Sequence, residues 1–512
     1  MKENNKKIFK AGFWYTICNF FVKGLTFLLM PFFTRIMNGN DIGLYSNITA
    51  WFNILAIVTT FELYSSVSIA RFDYKEDLNK YISSSLFLGS LITIGFYAII
   101  FIFKDFFTSL MLIDFKTINI IFIYLLFYPA IQMFQIKNQI SYNYKPIIFI
   151  TLVNAISSSL LSILLTLICT NKLDGRVFGY FVPLIVIAFI VYFYLMIDGK
   201  SISKKYWKYA LSISFPLIWH LLAGYLLSSA DKVMITKMIS PNANALYSVA
   251  YTISQAVSIL WMSMNNAWSP WAYDMMDKKA FNKLKENSKP YLIFFVVIVY
   301  LFILITPELL LIMGGKEYIN AKYVMPPVMI GYIFQFVYSL YVNIEFYHKK
   351  QKNIAIGTII ACLINIILNF IFIPIFGYIA AAYTTLIGYI VLYLLHYFFV
   401  IRLKCDKWYD NKFFVRILSL SMIVLIISNF IYHYSIIRYI IIILLIAVVL
   451  AFFCKNRSII IDSIKTKSFK DLKKLFKVSN LWKKKKSIEG MKYNACWFEK
   501  NNIFYNIYIF VV

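Results

Sequence analysis

Lys23 stands near the middle of an apolar run, 11–36, that is long enough to cross a bilayer, and Thr16, Asn19 and Thr26 share its helical face. A cation at that depth costs about 2.5 to 3.5 kcal/mol on insertion scales, so it needs an anionic ligand or a distant carboxylate. His220, Gly224, Ser228 and Asp231 form a second polar stripe, Ser248, Thr252, Gln255 and Ser258 a third, and Gln335, Tyr338 and Glu345 a fourth. Glu62 is surrounded by Thr59, Ser65 and Ser66. Such a set can bind a polar ligand and carry H+ or Na+. Each residue also has a structural reading. Asp231-Lys232 would cap a helix, Glu345 would make a boundary ion pair, and His220 would be a hydrogen-bonded bundle residue. Catalytic signatures are missing: the chain has no Walker loop, no G-x-G-x-x-G, no H-E-x-x-H and no G-x-S-x-G. Its six cysteines are scattered without C-x-x-C or metal spacing, so no metal site, disulfide or organic cofactor is expected.

The elements that must position these residues follow from composition. Of 512 residues 61% are hydrophobic and 14% charged, which excludes a soluble enzyme of this size. Fourteen stretches have the roughly 20 apolar residues a membrane helix requires: 11–36, 44–70, 81–103, 117–136, 147–169, 176–197, 208–230, 244–266, 290–313, 323–346, 354–376, 378–401, 414–433 and 436–454. The runs are continuous, without the alternation of a membrane barrel, so an all-α polytopic membrane protein is expected. The start of the chain has the charge order of a signal sequence but no small-residue cleavage site, and reads as an uncleaved first helix.

A net charge of +28 would suggest nucleic acid in a soluble protein. Here 26 basic residues fall in the N-terminal arm and alternate loops, 14 in the tail from Lys455, and only 10 in the opposite loops. Cytoplasmic loops retain Lys and Arg, so both termini are expected in the cytoplasm. The tail, 14 basic against 4 acidic residues with Lys483 to Lys486 consecutive, is expected to contact anionic membrane lipid rather than nucleic acid. The apolar end, 503–512, has no functional reading.

The sequence also repeats. Thr34-Arg35 and Leu44-Tyr45-Ser46 recur 202 residues later as Thr236-Lys237 and Leu246-Tyr247-Ser248. A repeat of six spans starts and ends on one side, so the halves should be parallel copies about an axis along the membrane normal. The expected domains are two six-helix lobes, 1–200 and 201–402, an extra hairpin, 403–454, and a basic tail, 455–512.

Span 11 and the turn after it contain Asn365, Asn369, Pro374, Gly377, Ala380-Ala381-Ala382 and Thr384-Thr385. This segment resembles the Wzx-type oligosaccharide flippases of the multidrug/oligosaccharidyl-lipid/polysaccharide exporter superfamily. Pro31 to Tyr45, and Phe215-Pro216 through Asp231-Lys232 to Tyr247-Ser248, are similar to the same family. In physical terms the proline and glycine allow a tight turn and the alanines a close helix approach.

The resemblance implies a V-shaped pair of lobes that flips undecaprenyl-diphosphate-linked oligosaccharide by alternating access, for O-antigen, capsule or another exopolysaccharide, in the bacterial cytoplasmic membrane. Lys23 would face the diphosphate, at a place where related lipid II flippases carry a cavity arginine. Arg35 and Lys237 would flank the exit, and Asn19, Gln255 and Tyr338 would face sugar hydroxyls. Glu62 and Glu345, with Asp231 and His220, are the ion-coupling candidates. Partners would be the lipid-linked oligosaccharide, anionic lipid, and the polysaccharide polymerase and export machinery. The rivals are an ion-coupled multidrug antiporter of the same superfamily, whose cleft should be dominated by carboxylates, and a membrane glycan polymerase or ligase, which would need a long outer loop that the sequence lacks.

Overall fold

The computed structural model describes the backbone of residues 2–455 and the side chains of 14–447 other than 16 and 19. The tail expected to contact lipid, and the apolar end, lie outside the described residues. Seventeen α-helices account for the described chain, and it contains no strand. The first half holds α1 (Lys2–Ile36), α2 (Gly39–Thr60), α3 (Val67–Asp73), α4 (Leu78–Ile102), α5 (Lys104–Met111), α6 (Phe115–Ile140), α7 (Tyr144–Ile168) and α8 (Lys172–Gly199). The second holds α9 (Lys204–Met238), α10 (Pro241–Asp277), α11 (Phe281–Leu304), α12 (Thr306–Met313), α13 (Met325–Tyr347), α14 (Gln351–Phe376) and α15 (Tyr378–Arg402), followed by α16 (Asn411–Ile431) and α17 (Ser435–Lys455). Twelve of these are long and apolar enough to cross a membrane among the described residues, and α1 and the apolar α17 coincide with the first and last expected spans.

The repeat runs deeper than its motifs. Asn38 and Ser240, also 202 residues apart in the sequence, are the N-caps of α2 and α10, each accepting a backbone N–H three residues on, at 2.8 and 3.1 Å. The short helices α5 and α12 are both eight residues long and follow the third long helix of their halves. They were not expected from the sequence: the expected span 81–103 ends before α5, and the expected span 290–313 runs through α12 as one apolar stretch.

Side-chain packing forms two large cores. One joins α2, α4, α6 and α8, where Phe52 stacks on Tyr124 at 5.5 Å and meets Phe181 edge-on at 5.4 Å. The other centres on α13 and takes in α10, α11, α15 and α16. Of the candidate spans α13 is the most enclosed, with 89% of its apolar window buried. A polar residue on this helix therefore faces either another helix or an internal cavity, not lipid.

The second expected span, 44–70, is not one helix. It stops at Thr60, passes through Phe61 and Glu62 in left-handed conformation at φ 49° and 51°, forms a 3-10 turn over Leu63–Ser66, and resumes as α3. Neither residue is glycine, and each such conformation costs about 1 to 3 kcal/mol unless its surroundings impose it. Those surroundings are visible: Ser214 on α9 donates to the Glu62 carbonyl at 3.1 Å, and Ser66 is bonded to the Tyr81 hydroxyl at 2.5 Å. Irregular backbone is tolerated at membrane depth where protein covers it or it lines a cavity.

Candidate functional site

The break in the second span turns Glu62 into a cavity of about 500 Å³ between the two halves. Glu62, Tyr64, Ser65 and Gln132 line it from the first half, and His220, Tyr225, Trp261, Gln335, Tyr338, Thr358 and Tyr389 from the second. Carboxyl, amide, imidazole and phenol groups thus alternate with aromatic faces, a wall that can hold hydroxyl-rich or charged ligands. The site candidates Glu62, His220 and Tyr338 meet here, with Ser65 beside Glu62 and Gly224, Ser228 and Gln335 of the polar stripes. Tyr64, Gln132, Trp261, Thr358 and Tyr389 were missed, since aromatic and amide residues inside apolar runs do not stand out in a sequence this rich in Tyr and Phe.

One end of the bundle is closed by a seam built from the repeat. Ser46 and Ser248, equivalent residues of the two halves, hydrogen-bond to each other at 2.6 Å, which places them on the pseudo-two-fold axis. Asn244 donates to the Gly43 carbonyl at 2.8 Å and accepts from Ser248 at 2.8 Å. A Cβ on Gly43 would lie 1.7 Å from the Pro241 carbonyl oxygen, so only glycine lets α2 and α10 approach this closely. The two basic candidates Arg35 and Lys237 cross the seam in opposite directions. Arg35 donates to the Ile312 carbonyl near the end of α12 at 3.1 Å, and Lys237 to the Ser109 carbonyl near the end of α5 at 2.6 Å. Thr34 adds a bond to the Met313 carbonyl at 2.8 Å. The unexpected short helices therefore present carbonyl ends to the repeat's own cations, a favourable arrangement for positive charge.

Asp231 belongs to neither feature. It is fully buried within α9, seven residues before the helix ends, and does not cap that helix at a surface. Its carboxyl accepts from Asn369 on α14 and from Thr385 on α15, each at 2.7 Å, and from the Tyr247 hydroxyl on α10. Asn369 also donates to Asn365 at 3.3 Å and accepts from Thr384. The Asn365 to Thr385 segment, read above as packing, therefore also carries a polar knot that ties four helices to one carboxyl.

Glu345 lies one layer behind the cavity, on α13. It is fully buried and paired with His396 of α15, Nδ1 to Oε1 at 2.5 Å. His396, near the end of the twelfth span, was not among the sequence candidates. Lys23 reaches from α1 to α10, its Nζ 3.5 Å from Met262 Sδ, and does not line the cavity. Among the described residues no carboxylate forms an ion pair with it. Gln255 is half-buried on α10 and also stands off the cavity. The Asn19 side chain lies outside the described residues.

The fold has known counterparts. The lipid II flippase MurJ in an inward closed conformation superposes with a TM-score of 0.64 at 18% identity, covering 87% of this chain and 99% of that one. A multidrug resistance MATE family transporter of the MOP superfamily, inward-facing, gives 0.57 at 13% identity over 76% and 98%. In sequence, a protein of the Lsg locus of Haemophilus influenzae is 23% identical over 380 residues, 70% of this chain and 90% of that one. An uncharacterised membrane protein of the same organism is 25% identical over 231 residues, 43% and 56% of the two chains. The structures share the architecture of paired helical halves, and the profile that matches residues 8–276 supplies what architecture alone does not: this chain belongs to the polysaccharide biosynthesis protein family.

Proposed function

We propose that the protein flips undecaprenyl-diphosphate-linked oligosaccharide repeat units across the bacterial cytoplasmic membrane by alternating access, with both termini cytoplasmic, and so feeds synthesis of O-antigen, capsule or a similar exopolysaccharide. The observation that carries this reading is the polar, aromatic cavity between the halves, sealed at one end by repeat-equivalent residues, in a member of a polysaccharide biosynthesis family. Sugar hydroxyls would meet Gln132, Gln335 and Tyr338, with aromatic faces of Trp261 and Tyr389 beneath the rings. The lipid tail would stay in the bilayer. Lys23, a membrane-embedded cation with no carboxylate in ion-pair range among the described residues, would offset diphosphate charge at the boundary of α1 and α10. Opening of the seam would release Arg35 and Lys237 to the departing head group. Asn19 and Gln255 would contact the sugar only in another conformation. Glu62, Asp231 or the Glu345 pair would carry a coupling H+ or Na+. Anionic lipid would hold the basic tail, and the polymerase and export machinery would take the product.

The experiment is genetic. Lys23→Ala is expected to abolish surface polysaccharide while the protein inserts in normal amount, and lipid-linked repeat units should accumulate on the cytoplasmic leaflet. Full polymer output from a well-expressed variant removes Lys23 from the mechanism. A second reading, an ion-coupled multidrug antiporter, is favoured by one observation: the charged group on the cavity wall is the Glu62 carboxyl, whereas Lys23 stands off it. Drug resistance that falls on deletion, with lipid-linked intermediates unchanged, would decide for that alternative.

A further inference from the structure

We infer that Glu345 and His396 form a proton-binding site behind the cavity wall whose occupancy is linked to the charge of whatever occupies the cavity. The two side chains lie on α13 and α15, both 0% exposed, with His396 Nδ1 2.5 Å from Glu345 Oε1. Each keeps one atom without a hydrogen-bond partner, Oε2 of Glu345 and Nε2 of His396. A pair that served packing alone would be expected to satisfy these atoms, because an unpaired buried polar group costs about 1 to 3 kcal/mol. On α14, Gly357 packs so closely against His396 that a Cβ there would lie 2.8 Å from Nε2. A side chain at that position would crowd the nitrogen.

With Nδ1–H donated to Oε1 and the carboxyl ionised, the pair carries one negative charge and an open lone pair on Nε2. A solvated proton adds to that lone pair, no bond within the pair breaks, and the pair becomes neutral. The groups that face it are few. Tyr338 on α13 lines the cavity with its ring 4.9 Å from the His396 ring. His220 on α9 lines the same cavity as Tyr338. Glu62 lines the same cavity from the opposite half, Tyr389 and Tyr393 lie earlier on α15, and α14 contributes Gly357 and Thr358 with Cys362 a turn further on. Tyr338 touches both the cavity and the His396 ring, so charge placed in the cavity acts on the pair across a side-chain layer of low polarity.

Linkage then fixes the sign. An anionic head group disfavours the negative state, so anion binding and proton binding strengthen one another; a cationic cargo does the reverse and expels the proton. The direction of proton movement therefore depends on the cargo charge proposed above, whereas the existence of the site does not.

Histidine-selective NMR on the full-length protein in detergent tests both. The chain has only four histidines, so His396 is assigned by His396→Gln. Its ring signals are expected to change with pH, and to do so differently in Glu345→Gln. Adding farnesyl diphosphate, a short prenyl diphosphate, should move the midpoint up by about one pH unit, as a charge roughly 10 Å away would. Adding tetraphenylphosphonium should move it down. A His396 signal that does not titrate, or that titrates without responding to Glu345→Gln or to either probe, overturns the site. A response to the cation alone keeps the site and overturns the anionic cargo. A ligand-linked titration of His220 with none at His396 transfers the proton to His220 and also overturns the proposal.

Discussion

Asp231→Ala is expected to destabilise the purified protein by about 2 to 4 kcal/mol, measured as loss of the folded state in mild detergent under thermal or denaturant challenge. The carboxyl accepts from three donors on three different helices, Tyr247 on α10, Asn369 on α14 and Thr385 on α15. Interhelical hydrogen bonds in membranes contribute about 0.6 kcal/mol on average and up to about 1.7, so three of them alone reach the lower bound. Truncation also leaves three buried donors unpaired, which adds to the loss. Asp231→Asn keeps an oxygen for Asn369 and lets the hydroxyls of Tyr247 and Thr385 turn to accept, so it should cost well under half as much. Equal stability of the alanine variant and the parent would contradict the account of this carboxyl as a tie between helices. If the Asp231→Asn variant is as stable as the parent but inactive, the carboxyl charge itself is required, as an ion-coupling role demands.

A second large effect is expected at the seam. Ser46→Cys combined with Ser248→Cys should form a disulfide under mild oxidation, since the hydroxyls they replace are 2.6 Å apart. Alternating access requires this end of the bundle to open, so the oxidised double variant should lose transport nearly completely and regain it with reductant. Each single variant should retain activity, because one lost hydroxyl bond at a partly buried position costs about 1 kcal/mol. The readout is polymer production or flipping in vesicles, with cross-linking followed in the same samples in a background free of the native cysteines. A cross-linked protein that still transports would mean that the seam stays closed throughout the cycle, and that cargo leaves by another route.

These two regions show how far the sequence reached. The repeat was visible as two short motifs, and the structure explains why those residues resemble one another: equivalent positions of a two-fold pair meet on the axis, so Ser46 must complement its own copy. What the motifs could not tell was that Arg35 and Lys237 bond to the ends of α12 and α5, short helices that the span pattern had not marked. Asp231 stood out as an intramembrane charge. Its partners, up to 154 residues away, did not, because nothing local to α9 specifies which helices will surround it.

The sequence by itself determined an all-α polytopic membrane protein, the order of its long apolar helices and the polar positions within them. These depend on local hydrophobicity, which the bilayer reads one segment at a time. Tertiary structure alone decided which of those polar groups share a site. Glu62 faces the cavity because contacts from Ser214 and Tyr81 accompany a helix break that no glycine or proline announces. Glu345 meets His396 because α13 is enclosed by other helices, so its one carboxyl had to be matched from a neighbour 51 residues on. Pairing between distant helices is settled by packing and by the cost of leaving a buried polar atom alone, and neither is written in any single span.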